Sequence, residues 1–320
     1  MNYLYLAIAC VLFSVQFLFT KGFSRRASSA PHVGIWNGCV ISLLMLCYLL
    51  PMNGFRFEFS RSALLYASIL ALCAVCMSLI NVVAMRLGSM VVVTNYVLIG
   101  GMLLPFVYGV AVLNERCSAL KLVAIVLLLG SMLPTMISRD SLQTDATQKA
   151  ASRGRRILFH SLGLVQFFAN GMTSIVSKAH SISPDAVSSQ GFTLLGGCIQ
   201  ATLSLIVLLL FAASSRASAG KGAMHRIFVD VTKEKPVRAL GVLTLAGFSL
   251  GYALCNGLAN VSSNECARTM DASIQYPAIT AVIIVLTAII GRVCFGERIT
   301  RSTALSLLLS LSGAVLFMFA

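Results

Sequence analysis

The sequence predicts an all-α membrane protein of ten transmembrane helices, arranged as two inverted five-helix repeats. Three observations lead to this fold class: an apolar composition, ten long apolar runs, and an internal repeat that relates the two halves of the chain. Of the 320 residues, 58% are hydrophobic and only 11% are charged. A soluble domain carries about a quarter charged residues, so this chain cannot cover a water-facing surface.

Ten apolar runs approach or reach the length of about 20 residues that a membrane-spanning helix needs. Only helices and closed barrels satisfy their backbone groups in lipid, and unbroken apolar runs exclude the alternating pattern of a barrel. The runs begin at Tyr3, His32, Ser62, Ser89, Leu120, Arg156, Val187, Arg238, Ala272 and Thr303.

Two polar segments divide this pattern. The segment 138–155 follows the fifth run, and we interpret it as the linker between a first repeat, 1–137, and a second repeat, 156–320. A further hydrophilic segment, 214–237, is predicted to be a loop inside the second repeat. The first run has no basic residue before it and Lys21 directly after it. This is the reverse of a signal peptide, so the run is predicted to remain as a span.

The basic residues indicate topology rather than a nucleic-acid partner. The net charge is +14, but the Lys and Arg residues lie at helix ends and in loops, without interleaved aromatic residues. Of the 24, 18 fall on the odd-numbered connections and six on the even-numbered ones. The positive-inside rule would then place the odd connections in the cytoplasm and both termini outside.

An internal repeat relates the two halves. A shift of 182 residues places the third to fifth runs on the eighth to tenth, and a shift of 157 pairs Lys21 with Lys178. Five spans is an odd number, so the second half must enter the membrane from the opposite side, as inverted-repeat carriers do. The pairs at the shift of 182 include Ala71 with Ala253, Leu72 with Leu254, Cys73 with Cys255, Arg86 with Arg268, and Glu115-Arg116 with Glu297-Arg298.

Polar side chains within the spans are the candidates for a substrate site, because polar groups in hydrocarbon usually face the bundle interior. Asp271, Gln275 and Tyr276 share overlapping faces of one helix, and Pro277 favours a kink there. The register places the fourth run opposite the ninth across a central cavity. The alternative is that these groups only bond helix to helix. The predicted substrate-binding residues are Gln16, Thr94, Asn95, Asn170, Asp271, Gln275 and Tyr276.

Two kinds of charged residue stand at the ends of the predicted helices. Lys21 and Lys178 are expected to extend to the interface, and the alternative is that they attract an anionic group. Each Glu-Arg pair is expected to cap or orient a tight loop, because adjacent residues do not face each other. No Lys or Arg lies deep in a span, which argues against sugar-phosphate or nucleotide-sugar cargo.

Several segments resemble the drug/metabolite transporter superfamily, particularly its ten-helix EamA-like branch. The stretch from Phe13 to Lys21 is similar to the first-helix pattern of that superfamily, and Asn170 to Lys178 repeats its spacing. The segments 113–116 and 295–300 resemble the hairpin that ends each half. The spacing from Tyr276 to Glu297 is similar to that of small multidrug resistance proteins.

The sequence departs from this resemblance at two points. Small multidrug resistance proteins carry a proton-coupling glutamate in the first helix, and that place holds Phe13 in one half and Asn170 in the other. The resemblance therefore does not imply proton exchange through that carboxylate. Ten-helix members also resemble one another in having cytoplasmic termini, whereas the charge bias puts the termini outside. The orientation stays open.

The predicted function is a secondary transporter that moves a small organic metabolite or drug-like compound by alternating access in the plasma or inner membrane. The alternatives are a membrane-embedded lipid-modifying enzyme and a non-transporting scaffold. No HExxH, P-loop or paired histidine motif occurs, so we predict no enzyme activity, catalytic residue, metal or cofactor. The expected partners are a small-molecule substrate and membrane lipid; the sequence leaves the oligomeric state undetermined.

Overall fold

The fold is all-α, as the sequence predicts. The computed structural model describes residues 2–27, 31–114, 118–137, 153–218, 238–270, 272–297 and 299–319. The helices are α1 Asn2–Arg26, α2 Pro31–Met52, α3 Arg61–Leu87, α4 Met90–Val112, α5 Ala119–Gly130, α6 Met132–Ile137, α7 Arg153–Ser181, α8 Ser189–Ser218, α9 Arg238–Thr269, α10 Ala272–Phe295 and α11 Arg301–Met318.

These segments correspond to the ten predicted spans. Helices α5 and α6 are separated only at Ser131, so they count together as the fifth helix. Each of the ten helices begins within three residues of its predicted start. Most of the linker 138–155 and of the loop 214–237 lies outside the described residues, as do Glu115-Arg116, Asp271 and Arg298.

Eight of the helices in the described ranges are long and apolar enough to cross a membrane, which makes this a multi-pass membrane protein. The two others are the fifth and sixth. The fifth is apolar but short, Ala119–Pro134. The sixth, α7, is 29 residues long. Polar residues such as Gln166, Asn170 and Thr173 lower its mean hydropathy, and these residues face the interior of the bundle.

The helices differ in how much of their surface faces outward. Leu72, Val126, Leu210 and Val293 are largely exposed, as expected for side chains that contact lipid tails. Helix α4 is the opposite case, because 89% of its most apolar stretch is buried inside the protein. A helix that is apolar all round and buried all round occupies the centre of the bundle.

The helices pack in pairs that join the two halves of the chain. Helix α1 packs along α9 and α7 along α3, while α4 packs along α7 and α10 along α1. Three further pairs join counterpart helices of the two halves: α2 with α8, α4 with α10, and α5 with α11. When each helix is replaced by its counterpart in the other half, the first two pairs exchange, the next two exchange, and the last three stay the same. Phe19 lies against Gly251 and Gly22 lies against Phe248, so α1 and α9 run antiparallel.

Two connections at one end of the bundle cap each other's helices. Ser188 precedes α8 and donates from its backbone nitrogen and its hydroxyl to Glu58, at 2.6 and 2.8 Å. Ser62 in the first turn of α3 donates from its hydroxyl to Asp185 at 2.6 Å, and Ser183 donates to the same carboxylate at 2.7 Å. Both carboxylates stabilise helix N-termini, where anions are favoured.

The hydrogen bonds from Ser62 and then Ser183 hold the pKa of the Asp185 carboxyl well below its usual range. Because the folded-state pKa lies below the unfolded value of about 3.9, the stabilisation is present above that pH and is lost as the pH falls through the folded pKa. We expect Asp185→Asn to lower the midpoint of thermal unfolding at pH 7. The difference from wild type should shrink below about pH 4. The control is Ser68→Ala, because the Ser68 hydroxyl bonds only within α3. A difference in unfolding midpoint between Asp185→Asn and wild type that stays the same from pH 7 to below about pH 4 would contradict the assignment.

Candidate functional site

A central cavity of about 240 Å³ lies among α1 to α4 and α7 to α10. Among the described residues, α5, α6 and α11 contribute nothing to its wall. Side-chain amides from six helices face it. These amide residues are Gln16, Asn37, Asn81, Asn170, Gln200, Asn256, Asn260 and Asn264.

The most regular part of the wall is a stripe of asparagines on α9. Asn256, Asn260 and Asn264 are four residues apart, so they lie one above another on one face of the helix. The amide nitrogen of Asn260 donates to the Asn256 backbone oxygen at 2.7 Å and to its side-chain oxygen at 3.1 Å. Asn264 donates to the Thr193 hydroxyl of α8 at 3.2 Å. The stripe therefore offers the cavity a fixed row of amide groups.

Three of the seven predicted site residues line the cavity: Gln16, Asn170 and Tyr276. The Gln16 side chain is 8% exposed, and its amide oxygen has no hydrogen-bond partner. Asn170 donates to the Val97 backbone oxygen at 2.8 Å. The Tyr276 hydroxyl donates to the Ser174 backbone oxygen at 3.2 Å. The structure thus brings α1, α7 and α10 together at this site.

Three other predicted site residues lie outside the cavity wall. The Asn95 amide accepts from the Ser310 hydroxyl at 2.8 Å and donates to the Ser306 hydroxyl at 3.0 Å, so it faces α11. Thr94 is buried beside it without lining the cavity. Gln275 donates to the backbone oxygen and the hydroxyl of Ser263, at 2.7 and 3.0 Å.

The facing set expected from the fourth and ninth spans is therefore only partly assembled. Helices α4 and α10 do pack together, but the buried α4 has neighbours on every side. The repeat register fixes equivalent backbone positions, and it does not fix which neighbour each side chain meets. Asp271, the seventh predicted residue, lies outside the described residues.

The sequence prediction did not select the asparagine stripe of α9, nor Asn37, Asn81 and Gln200. A signal for the stripe was present, because Asn256, Asn260 and Asn264 recur every four residues in an otherwise apolar run. That spacing gives one helix a continuous polar face, which in lipid must be buried.

Lys21 closes one end of the helix bundle, and its placement corrects a prediction. It was expected to extend to the membrane interface, but it is fully buried. Its ammonium group donates to the backbone oxygens of Met85 and Gly88, at 2.6 and 3.0 Å, and lies 3.4 Å from a carboxylate oxygen of Glu297. The carbonyls at the C-terminus of α3 offer acceptors that the helix itself leaves unused, so the lysine remains inside.

Glu297 has a second role at the same place. Its carboxylate accepts from the Ser89 hydroxyl at 2.6 Å and from the Met90 backbone nitrogen at 3.0 Å. It therefore caps the N-terminus of α4, a helix from the other half of the chain, rather than a loop of its own. One carboxylate joins the connection before α11 to α1 and α4.

Lys178 makes the corresponding closure in the second half. Its side chain is 9% exposed, and its ammonium group donates to the backbone oxygens of Ala267 and Met270, at 3.2 and 3.5 Å. These two acceptors are each 182 residues after those of Lys21, and the two lysines are 157 residues apart. The shift of 157 therefore relates the two lysines, and the shift of 182 relates the backbone oxygens that they bond.

The two lysine closures lie at different levels along α9. Lys21 is adjacent to Gly22, which lies against Phe248 in the first half of α9, whereas Lys178 bonds Ala267 near the end of that helix. Nineteen residues of helix separate these two α9 positions, roughly 28 Å at the rise of an α-helix. The cavity-lining asparagines of α9 lie between them.

Comparison with known proteins supports the fold and gives no family. No protein-family profile matches the sequence, and no curated protein matches it. Among solved structures 28 chains match. One, described only as a crystal structure of a protein, has a TM-score of 0.56 and 14% identity over 98% of this chain and 95% of that chain. Identity this low shows the fold alone, a multi-helix membrane protein whose helices follow a known arrangement over nearly the whole chain.

Proposed function

We propose that the protein is a secondary transporter of the drug/metabolite transporter superfamily, in its EamA-like branch, which moves a small organic molecule by alternating access. The observation that carries the proposal is the amide-lined cavity between two equivalent lysine closures, which lie on either side of the asparagine stripe along α9. A carrier needs a central site and a closure on each side of it. A scaffold needs neither.

The arrangement of the halves as inverted repeats belongs to this proposal. The packing of α1 on α9 and of α7 on α3 is what a two-fold axis in the membrane plane would produce. The hydroxyls of Ser24 and Ser181 extend the correspondence, because each donates to the backbone oxygen of the lysine three residues before it. Two nearly equal packings of such halves would open the same site to opposite sides in turn.

The proposed cargo is neutral, zwitterionic or cationic and amphiphilic. Both Phe13 and Asn170, which occupy the place of the coupling glutamate in small multidrug resistance proteins, line the cavity. Coupling through a carboxylate at that place is therefore not part of the proposal. Sugar phosphates are disfavoured because Lys21 and Lys178 are bonded to backbone carbonyls and are not directed at a ligand. The proposed location is the plasma or inner membrane.

Counterflow in proteoliposomes tests the proposal. Vesicles loaded with an unlabelled metabolite mixture should accumulate a labelled component transiently when the purified protein is present. A scaffold or a lipid-modifying enzyme gives no counterflow. Vesicles without protein and vesicles with heat-denatured protein are the controls.

Substitutions at the cavity separate lining residues from buried residues elsewhere. We expect Tyr276→Phe and Gln16→Ala to raise the substrate concentration for half-maximal transport about three- to tenfold, because each removes one polar group from the cavity wall. Asn95→Ala should leave that concentration within twofold of wild type and lower stability instead, since it removes the partner of Ser306 and Ser310. The measurement is initial counterflow rate against concentration. Unchanged affinity in the variants of Gln16 and Tyr276 would remove these residues from the site.

A further inference from the structure

Among the described residues, three charged ones adjoin cavity-lining residues along the chain, and all three have partners in the protein. Lys21 bonds two carbonyls and pairs with Glu297, and Lys178 bonds two carbonyls. Glu265, beside Asn264 of the wall, accepts from the Ser189 hydroxyl at 2.8 Å. No described cavity-lining residue is charged. A charged ligand would lose its hydration there without meeting a counter-ion, which is costly.

The wall is instead rich in groups that both donate and accept hydrogen bonds. Each Asn or Gln amide supplies two N–H donors and one oxygen with two lone pairs. The eight lining amides use only some of these groups among themselves and their neighbours. One acceptor is conspicuous, since the Gln16 side chain is more than nine-tenths buried and its amide oxygen has no partner. A buried acceptor without a donor is costly, and a ligand N–H or O–H would remove that cost.

Three of the five described aromatic residues of the wall are covered by the protein, and the other two, Phe13 and Tyr252, are partly buried and pack against hydrophobic clusters. A cation–π site needs an open ring face within about 6 Å of the charge. Phe192 stacks on His180 with ring centroids 3.9 Å apart, so one face is covered. Phe17 and Tyr276 belong to the central hydrophobic cluster and are 6% and 9% exposed. These rings pack against the protein and leave little face to the cavity.

We propose, on the basis of the transport function proposed above, that the cavity selects an uncharged molecule with several hydroxyl or N–H groups. This is the chemistry that nucleosides and monosaccharides share. One ligand donor meets the amide oxygen of Gln16, which is buried in the cavity wall and reaches the ligand by rotation of its side chain, and the asparagine stripe of α9 holds further hydroxyl or ring groups. The volume of about 240 Å³ is just below the range for drug-sized ligands, which fits a compact metabolite.

Counterflow with probes of matched size and different charge tests this proposal. The probes are uridine and glucose as neutral compounds, phenylalanine as a zwitterion, arginine as a cation, and glutamate as an anion. We expect exchange of uridine or glucose at least tenfold faster than that of the other three. Exchange of uridine alone identifies nucleosides, and exchange of glucose alone identifies sugars.

The failures of the two proposals are distinguishable. Faster exchange of phenylalanine, arginine or glutamate overturns the neutral-ligand assignment and leaves transport intact. If none of the five probes is exchanged, the neutral-ligand assignment is overturned too. If the metabolite mixture also gives no counterflow, the proposal of a transport function is overturned as well.

Two variants test the role of the buried amide oxygen. Gln16→Leu should raise the half-saturating concentration of the neutral probe about three- to tenfold, the effect of one lost hydrogen bond. Ser204→Ala, which removes a buried hydroxyl on α8 outside the cavity wall, should leave it within twofold. Equal affinity in Gln16→Leu and wild type would contradict the contact. If Gln16→Leu does not fold, Gln16→Asn, which withdraws the oxygen by one methylene, gives the same comparison.

Discussion

Lys21→Met is expected to lower the free energy of unfolding by about 3–5 kcal/mol, because removing one partner of a buried ion pair leaves the other charge uncompensated. Lys21 is fully buried, and Glu297 is 5% exposed. The substitution also removes the donor to the backbone oxygens of Met85 and Gly88. We expect little folded protein in the membrane, measured as the monodisperse fraction in fluorescence-detected size exclusion before and after heating.

The equivalent substitution in the second half is the matched control. Lys178→Met removes a donor to the backbone oxygens of Ala267 and Met270. We expect the loss of these hydrogen bonds to lower the free energy of unfolding by about 1–3 kcal/mol. The double variant Lys21→Met/Glu297→Gln should be more stable than Lys21→Met alone, because the unpaired charge is gone. A Lys21→Met protein as stable as wild type would contradict the buried pair.

Gly100→Ala is expected to be the second severe substitution, although it adds only one carbon. A Cβ at this position would overlap the backbone oxygen of Phe167 on α7, so α4 and α7 would have to separate. Glycine at such a crossing lets two backbones approach closely in a membrane. The cost of overpacking is about 1–3 kcal/mol or more, and the separation would also shift Asn170, which bonds Val97 of α4.

The control for this substitution is Gly247→Ala. Gly247 lies in α9, and no neighbouring atom lies within 4 Å of the place that an alanine Cβ would occupy. Alanine there should leave stability unchanged or raise it by up to about 1 kcal/mol, because glycine is a poor helix former. The midpoint of thermal unfolding in detergent compares the two variants. Equal midpoints would exclude the close crossing of α4 and α7.

The helices were predictable because length and hydropathy are local properties of the chain. With α5 and α6 counted as one, each of the ten helices begins within three residues of its predicted start. The correspondence of Lys21 with Lys178 was also predictable, because the repeat register can be found in the amino-acid sequence. The two lysines do make equivalent contacts. The burial of these lysines was not predictable, because their acceptors are carbonyls of helices more than 60 residues away along the chain.

The candidate site was predicted only in part. Gln16, Asn170 and Tyr276 line the cavity, and whether they bind substrate stays a prediction. Asn95 has the same residue type as Asn170 and also lies within an apolar helix, yet it bonds Ser306 and Ser310 of α11. Nothing local distinguishes a polar group that faces a cavity from one that bonds another helix.

The sequence by itself determined that this is a multi-pass helical membrane protein, and it carried the register that relates the two halves. Apolar runs of sufficient length can only be helices in lipid, so composition decides that much. Tertiary structure alone decided which polar groups meet. In the folded bundle, Asn95 bonds α11 and does not face the cavity, Glu297 caps α4, and amides from six helices surround one cavity. The physical reason is that a buried polar group takes whichever partner the packing brings within reach, and packing is a property of the whole bundle.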